Sequence, residues 1–248
     1  MLLFVLAFIT QQTQAAANRN YYQIKIYHLK NKAQEQLVDG YLKDFYLPKL
    51  HKMGIKDVGV FKTLENDTTD RRIYLFIHFE KWKKMEYFDE NVSHDVAKTG
   101  REYVDANYKT PPYSRMETII LNAFITRPVY ALPKLTGNRA NRIYELRSYE
   151  SPTEQYHRNK VSMFNSGETD LFDRLGFNSV FYGSVIAGSR MPNLMYMTTF
   201  NSKEDRDKHW EAFSADTQWK TLSGMPEYQN NVSKADIIFL YPAEYSDF

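Results

Sequence analysis

Tyr22-Gln23-Ile24-Lys25-Ile26-Tyr27 and Tyr144-Glu145-Leu146-Arg147-Ser148-Tyr149 lie 122 residues apart and carry one alternating pattern. The same offset relates Gly54 to Gly176, Tyr74 to Tyr196 and Phe88 to Trp210, so four landmarks keep step over more than sixty residues. A unit this long is a duplicated domain; solenoid repeats run to roughly 20–50 residues. Alternation at period two makes each stretch a strand with two chemically different faces.

Working outward from Tyr21–Leu29, Ala33, Leu37, Tyr41 and Phe45 recur every four residues and predict a helix. Pro48 should kink or restart it, and Gly54 should close it in a left-handed cap. Ile55–Phe61 and Ile73–Phe79 read as strands, joined through the polar loop Asn66-Asp67-Thr68-Thr69-Asp70. A helical stretch from Lys81 to about Tyr103, interrupted near Gly100, leads to a fourth strand, Met116–Phe124. The second half repeats the order with strands Ile143–Tyr149, Phe177–Val185, Leu194–Phe200 and Ala235–Tyr241. Ser151-Pro152-Thr153-Glu154 reads as a capping box with proline at the first helical position. Leu175-Gly176 should end that helix, and Asn201 with Glu204 should cap the one carrying Trp210, Phe213 and Trp219.

The expected fold is therefore α+β, two ferredoxin-like βαββαβ units. Each makes an antiparallel sheet with helices on one face and leaves the other face to be covered. Packing the two bare faces together predicts a pseudo-twofold α+β barrel of the dimeric kind within one chain. The boundaries read as residues 21–125 for the first half, 126–141 for a Pro- and Gly-containing linker, and 142–246 for the second half.

Residues 1–17 read as an export leader. Leu2–Ile9 is apolar but too short to span a bilayer, and Ala15-Ala16-Ala17 suits signal-peptidase cleavage. No Lys or Arg precedes Arg19, so either the leader is atypical or the natural start lies upstream of Met1. The expected location is periplasmic or secreted, with no integral membrane segment once the leader is removed. A net charge of +2 offers no broad field for nucleic acid, and Lys81-Trp82-Lys83-Lys84 reads as a solvated helix face. The absence of cysteine excludes disulfides, thiolate metal sites and cysteine nucleophiles. Nineteen tyrosines and sixteen phenylalanines suit filled cores or an aromatic cavity.

Gly54-Ile55-x-x-Val58-Gly59-Val60-Phe61, Tyr144-Glu145-Leu146-Arg147-x-Tyr149 and Met191-Pro192-Asn193-Leu194-x-Tyr196-Met197 resemble motifs of the NIPSNAP family. Trp210-x-x-Phe213-x-x-Asp216-x-x-Trp219 resembles its tail, and the likeness spans roughly residues 21–245. The resemblance implies the dimeric α+β barrel superfamily, whose members include cofactor-free monooxygenases and haem-dependent enzymes. The first half departs from the pattern, with Gln23 and Lys25 in place of Glu145 and Arg147.

If Tyr144 and Leu146 pack on helices, then Glu145, Arg147 and Tyr149 point into the barrel. Arg147 could then bind an anionic ligand with Glu145 as proton acceptor, or the two could simply neutralise each other. Tyr182 and Tyr196 are candidates for the same wall, and Arg190 for a residue reaching over the barrel mouth. These six form the candidate ligand site. No metal site is expected, since the six histidines lack ligand spacing, and no cofactor is expected, although His78 on a strand could serve as a haem ligand. Neither GxSxG nor a Walker lysine is present, and Gly188-Ser189-Arg190-Met191-Pro192 reads as a hairpin. Two functional readings follow. One is a barrel that binds a small molecule, with oxidative chemistry as a variant. The other is a non-enzymatic interaction module with a filled barrel. The chain should be a monomer, or a homodimer formed through leftover edge strands.

Overall fold

Strand β1 (Tyr21–Leu29) keeps the two-faced alternation expected of it, but both faces are covered. In the computed structural model, which describes residues 19–64, 70–92 and 98–248, it is followed by α1 (Lys32–Tyr41) and α2 (Leu47–Lys52). A π-helical stretch, Leu42–Tyr46, joins the two without leaving helical dihedrals and accommodates Pro48 at the start of α2. Then come β2 (Gly59–Thr63), β3 (Arg71–Phe79), α3 (Trp82–Asn91), α4 (Lys98–Val104) and β4 (Arg115–Ala123). The second half runs β5 (Ile143–Glu150), α5 (Glu154–Met163), α6 (Thr169–Arg174), β6 (Phe181–Ala187) and β7 (Asn193–Phe200), then α7 (Lys203–Ala215), α8 (Thr217–Ser223) and β8 (Lys234–Pro242).

The strands close in the order β1-β3-β2-β8-β5-β7-β6-β4. Each half contributes a four-stranded antiparallel sheet, and the sheets join where β2 pairs with β8 and β4 with β6. This closure uses within one chain the outer strands that a dimer would otherwise have needed. The architecture is the α+β barrel expected from the sequence. Gly183 marks one seam: a Cβ there would come within 2.9 Å of Leu121 Cβ, so only glycine lets β4 and β6 approach. Gly183 and Ser184 lie within β6, as the strand reading of this stretch expects.

Residues from all eight strands, among them Tyr22, Phe61, Phe76, Tyr144 and Phe181, fill the barrel with one cluster that the C-terminal Phe248 joins. Two further clusters lie outside it. One sits under the first-half helices and the other, with Phe164, Phe172, Tyr196 and Phe213, under those of the second half.

Local punctuation differs from expectation in four places. Gly54 (φ +80°) and Gly176 (φ +77°) do adopt the left-handed conformation foreseen at the two helix ends. Thr153, however, is the N-cap of α5, which leaves Ser151 and Pro152 outside the helix. Ser202 caps α7 by accepting from Asp205 N, whereas Asn201 accepts from Thr136 N and Gly137 N and pins the linker. Gly100 lies inside α4 and not at the helix interruption. Strands β2 and β6 start at Gly59 and Phe181, later than Ile55 and Phe177. The leader, His94 and most of the Asn66–Asp70 loop lie outside the described residues.

Candidate functional site

Parity along β5 decides where the predicted residues go. Tyr144 and Leu146 belong to the cluster inside the barrel, so Glu145, Arg147 and Tyr149 face the helices. The expected orientation is therefore reversed. The reason is chemical: the helices of this half carry polar partners for the sheet, while the lumen is lined mostly by large apolar side chains. Glu145, wholly buried, accepts from Arg206 Nε at 2.7 Å, from Trp210 Nε1 at 3.0 Å and from Arg147 Nε at 2.6 Å. Burial would raise its carboxyl, but Arg206 and Arg147 outweigh that and hold it below the usual carboxylate range. Arg147 stacks its guanidinium carbon 3.6 Å from the Trp210 ring centroid and donates to Tyr149 Oη at 2.8 Å. Tyr149 and Tyr196 hydroxyls lie 3.0 Å apart. Tyr182 also lies on the helix side, hydrogen-bonded to Ser179.

Five of the six candidates thus knit the second-half sheet to its helices, with the charges neutralising each other. Much of the motif does the same: Asp216 caps α8 and Trp219 packs on Phe213 at 4.4 Å. The first half makes its junction with the acid on the helix and not on the sheet. There Asp89 on α3 supplies the acid, accepting from Gln23 Nε2 at 2.9 Å and pairing with Lys25 at 3.5 Å.

The sixth candidate, Arg190, does lie at the barrel mouth, paired with Asp236 and with Glu150 at 3.5 Å. Beneath it is a cavity of about 200 Å³ at the end of the barrel where β1 and β5 finish. Its floor is Ile26, Ile119, Met195 and Ile238, and its walls include His28, Arg72, Tyr74, Glu117, Ser148 and Asn193. A neighbouring space of about 250 Å³ shares Arg72, Tyr74 and Ile238 with it. The opposite end is occupied by the Phe248 ring, packed against Phe61, Phe76 and Tyr144.

The mouth is held by paired charges. His28 Nδ1 lies 2.8 Å from Asp70 and Nε2 lies 2.8 Å from Glu117, so the imidazole bridges β4 and the start of β3. Asp70 and Glu117 are each opposed by partial burial but held below the usual carboxylate range, by Arg72 and His28 for Asp70 and by His28 and Arg115 for Glu117. Burial raises the Tyr74 hydroxyl, with the Arg72 guanidinium acting against it. Asn193 is 2% exposed, and its Nδ2 donates to Ser148 Oγ at 2.8 Å. Its Oδ1 has no hydrogen-bond partner. Asn193 therefore opens β7 and faces the lumen, where the sequence placed it in a turn. His28 shares the face of Tyr22, Ile24 and Ile26, so strand parity would have found it once the lumen face was chosen correctly.

His78 is not arranged as a metal or haem ligand. Its Nε2 donates to Lys56 O at 2.7 Å, its ring stacks on Tyr130, and burial lowers its pKa. Among the described residues no group of three or more His, Asp or Glu could hold a metal ion. No helix among them is long and apolar enough to cross a membrane.

Comparison with known proteins places this geometry in context. A candidate monooxygenase from Lactobacillus acidophilus superposes with a TM-score of 0.59 at 12% identity, covering 90% of this chain and 94% of that one. One from Fusobacterium nucleatum gives 0.58 at 7% identity, covering 91% and 93%. An anthrone oxidase-like protein gives 0.54 at 9% identity, covering 92% and 93%. At such identities the likeness is one of fold. Among curated protein sequences none matches the chain. Residues 144–247 match the NIPSNAP family model, so the second half, with β5 to β8 and the whole Glu145–Arg147–Trp210 junction, is similar to NIPSNAP domains.

Proposed function

We propose that the chain binds a small, neutral, hydroxyl-bearing amphipathic molecule, such as a hydroxylated aromatic, in the barrel mouth. One observation carries the reading: a buried acceptor, Asn193 Oδ1, stands unpaired on the wall of a cavity with an apolar floor. A buried polar atom without a partner costs about 1–3 kcal/mol, which a ligand hydroxyl would offset. Charge argues for neutrality. Arg72, Arg115 and Arg190 are matched by Asp70, Glu117 and Asp236, so among the described residues the mouth holds no uncompensated cation for a carboxylate to claim. A cavity of about 200 Å³ limits the ligand to a single ring with short substituents.

The oxidase and monooxygenase names of the fold neighbours make oxidation of such a molecule the natural next question, but binding is the step that the mouth supports. A purely non-enzymatic interaction module with a filled barrel is less well supported, because this end of the barrel is not filled. The reading includes export through the leader at residues 1–17 and treats the two halves as diverged copies of one unit. Both halves share one element order, and Gly54 and Gly176 keep the offset of the strands.

The test is calorimetry with catechol and resorcinol as probes, on the wild-type chain and on Ile119→Trp, which fills the cavity floor. Saturable binding lost in Ile119→Trp supports the assignment. An identical response in both proteins removes it.

A further inference from the structure

A second groove lies outside the barrel, between α5, α8 and the segment before β8, with a volume of about 380 Å³. We infer that this groove, where the buried Asn231 amide stands beside the Trp219 and Tyr228 rings, is a binding site for a neutral saccharide. Asn231 is 2% exposed; its Nδ2 donates to Glu227 O at 3.0 Å, while its Oδ1 has no partner. An unpaired acceptor at that depth is matched by a ligand that brings a donor. The groove also presents the amides of Gln229 and Asn230, both exposed. Amide side chains donate and accept together, and so match hydroxyls that do the same.

The charge of the groove narrows the class further. Lys160 lines it but is not available as an anion receptor. Its Nζ donates to the buried Glu168 at 2.9 Å and lies 4.7 Å from the Phe164 ring centroid and 5.7 Å from that of Trp219. With carboxylate and rings already holding the ammonium, an acidic ligand would gain no unpaired charge. What remains is ring surface for an apolar sugar face and a row of amides for its hydroxyls.

Saturation-transfer NMR on the full chain tests this, with methyl β-glucopyranoside and its N-acetylglucosamine counterpart as probes. Wild-type protein should saturate both or one of them. Asn231→Ala should weaken binding about five- to tenfold, the loss of one hydrogen bond. Ser223→Trp, at the groove wall, should abolish binding with the melting temperature unchanged, while Ile119→Trp in the barrel leaves it intact. Absence of transfer to both glycosides, or equal transfer in wild type and Ser223→Trp, overturns the site. Loss of transfer in Ile119→Trp but not in Ser223→Trp would assign the sugar to the barrel and also overturn it.

Discussion

Arg147 lies flat on Trp210, its guanidinium carbon 3.6 Å from the ring centroid, while the indole nitrogen of the same ring donates to Glu145. Strand and helix are thus joined by a cation, a ring and a carboxylate that each satisfy the other two. The bonding capacity of the junction is thus used internally.

Removing its centre should cost stability. Glu145→Gln leaves Arg147 and Arg206 facing each other without the buried carboxylate, a loss of about 3 kcal/mol. Urea unfolding would measure it, and adding Arg147→Met should recover part of the loss through a coupling above about 1 kcal/mol. Strict additivity of the two changes would show that the pair does not act as a unit.

Acid should loosen the fold in a defined direction. Glu145, Asp70 and Glu117 are all depressed in the folded state. Their stabilisation is present above the unfolded values, about 4, and is lost as pH falls through the folded ones. Glu168 runs the other way. Burial raises its carboxyl against the pull of Lys160 and Arg147, so its contribution is complete below about pH 4 and lost as pH rises through the folded value. Glu168→Gln should therefore gain on wild type as pH rises above about 4. Melting curves across that range would show a widening loss if the sign is wrong.

The mouth should trade affinity against stability. The double change Asn193→Leu with Ser148→Ala removes both members of one hydrogen bond and the orphan acceptor at once. Stability should stay within about 1 kcal/mol of wild type or rise, while catechol affinity falls. A large destabilisation would mean that the pair is structural.

Gly54→Ala and Gly176→Ala should each cost about 1 kcal/mol, because both positions lie at positive φ. At Gly54 a Cβ meets nothing within 4 Å, whereas at Gly176 it would touch His209 Nε2 at 3.4 Å, so the second change should cost slightly more. Thermal denaturation of the two variants side by side makes the comparison.

The barrel was legible in the sequence because it depends on element order and on the repeated offset, which local patterns report well. The site was legible only in part. Alternation in β1 and β5 separates two faces but does not say which meets the helices when both are buried, as the burial of Tyr22, Gln23, Ile24 and Tyr144 to Ser148 shows. The polar residues turn away from the lumen because Asp89 and Arg206 on the helices supply their partners. The position of Arg190 at the mouth is legible because a hairpin beside the barrel end has few places to go. Asn193 was missed because a residue following proline reads locally as turn, and only the pairing of β5 with β7 turns it inward.

The placement of the acid, on a helix in one half and on the sheet in the other, bears on how the chain avoids misassembly. Sheet Lys25 is matched to helix Asp89, and sheet Glu145 to helix Arg206. A helix docked on the wrong sheet would leave Arg206 facing Gln23, which carries no charge, and bring the Asp89 carboxylate up to that of Glu145. Two halves with one outline but with the acid on different layers each favour their own helices, so symmetry of shape does not become ambiguity of assembly.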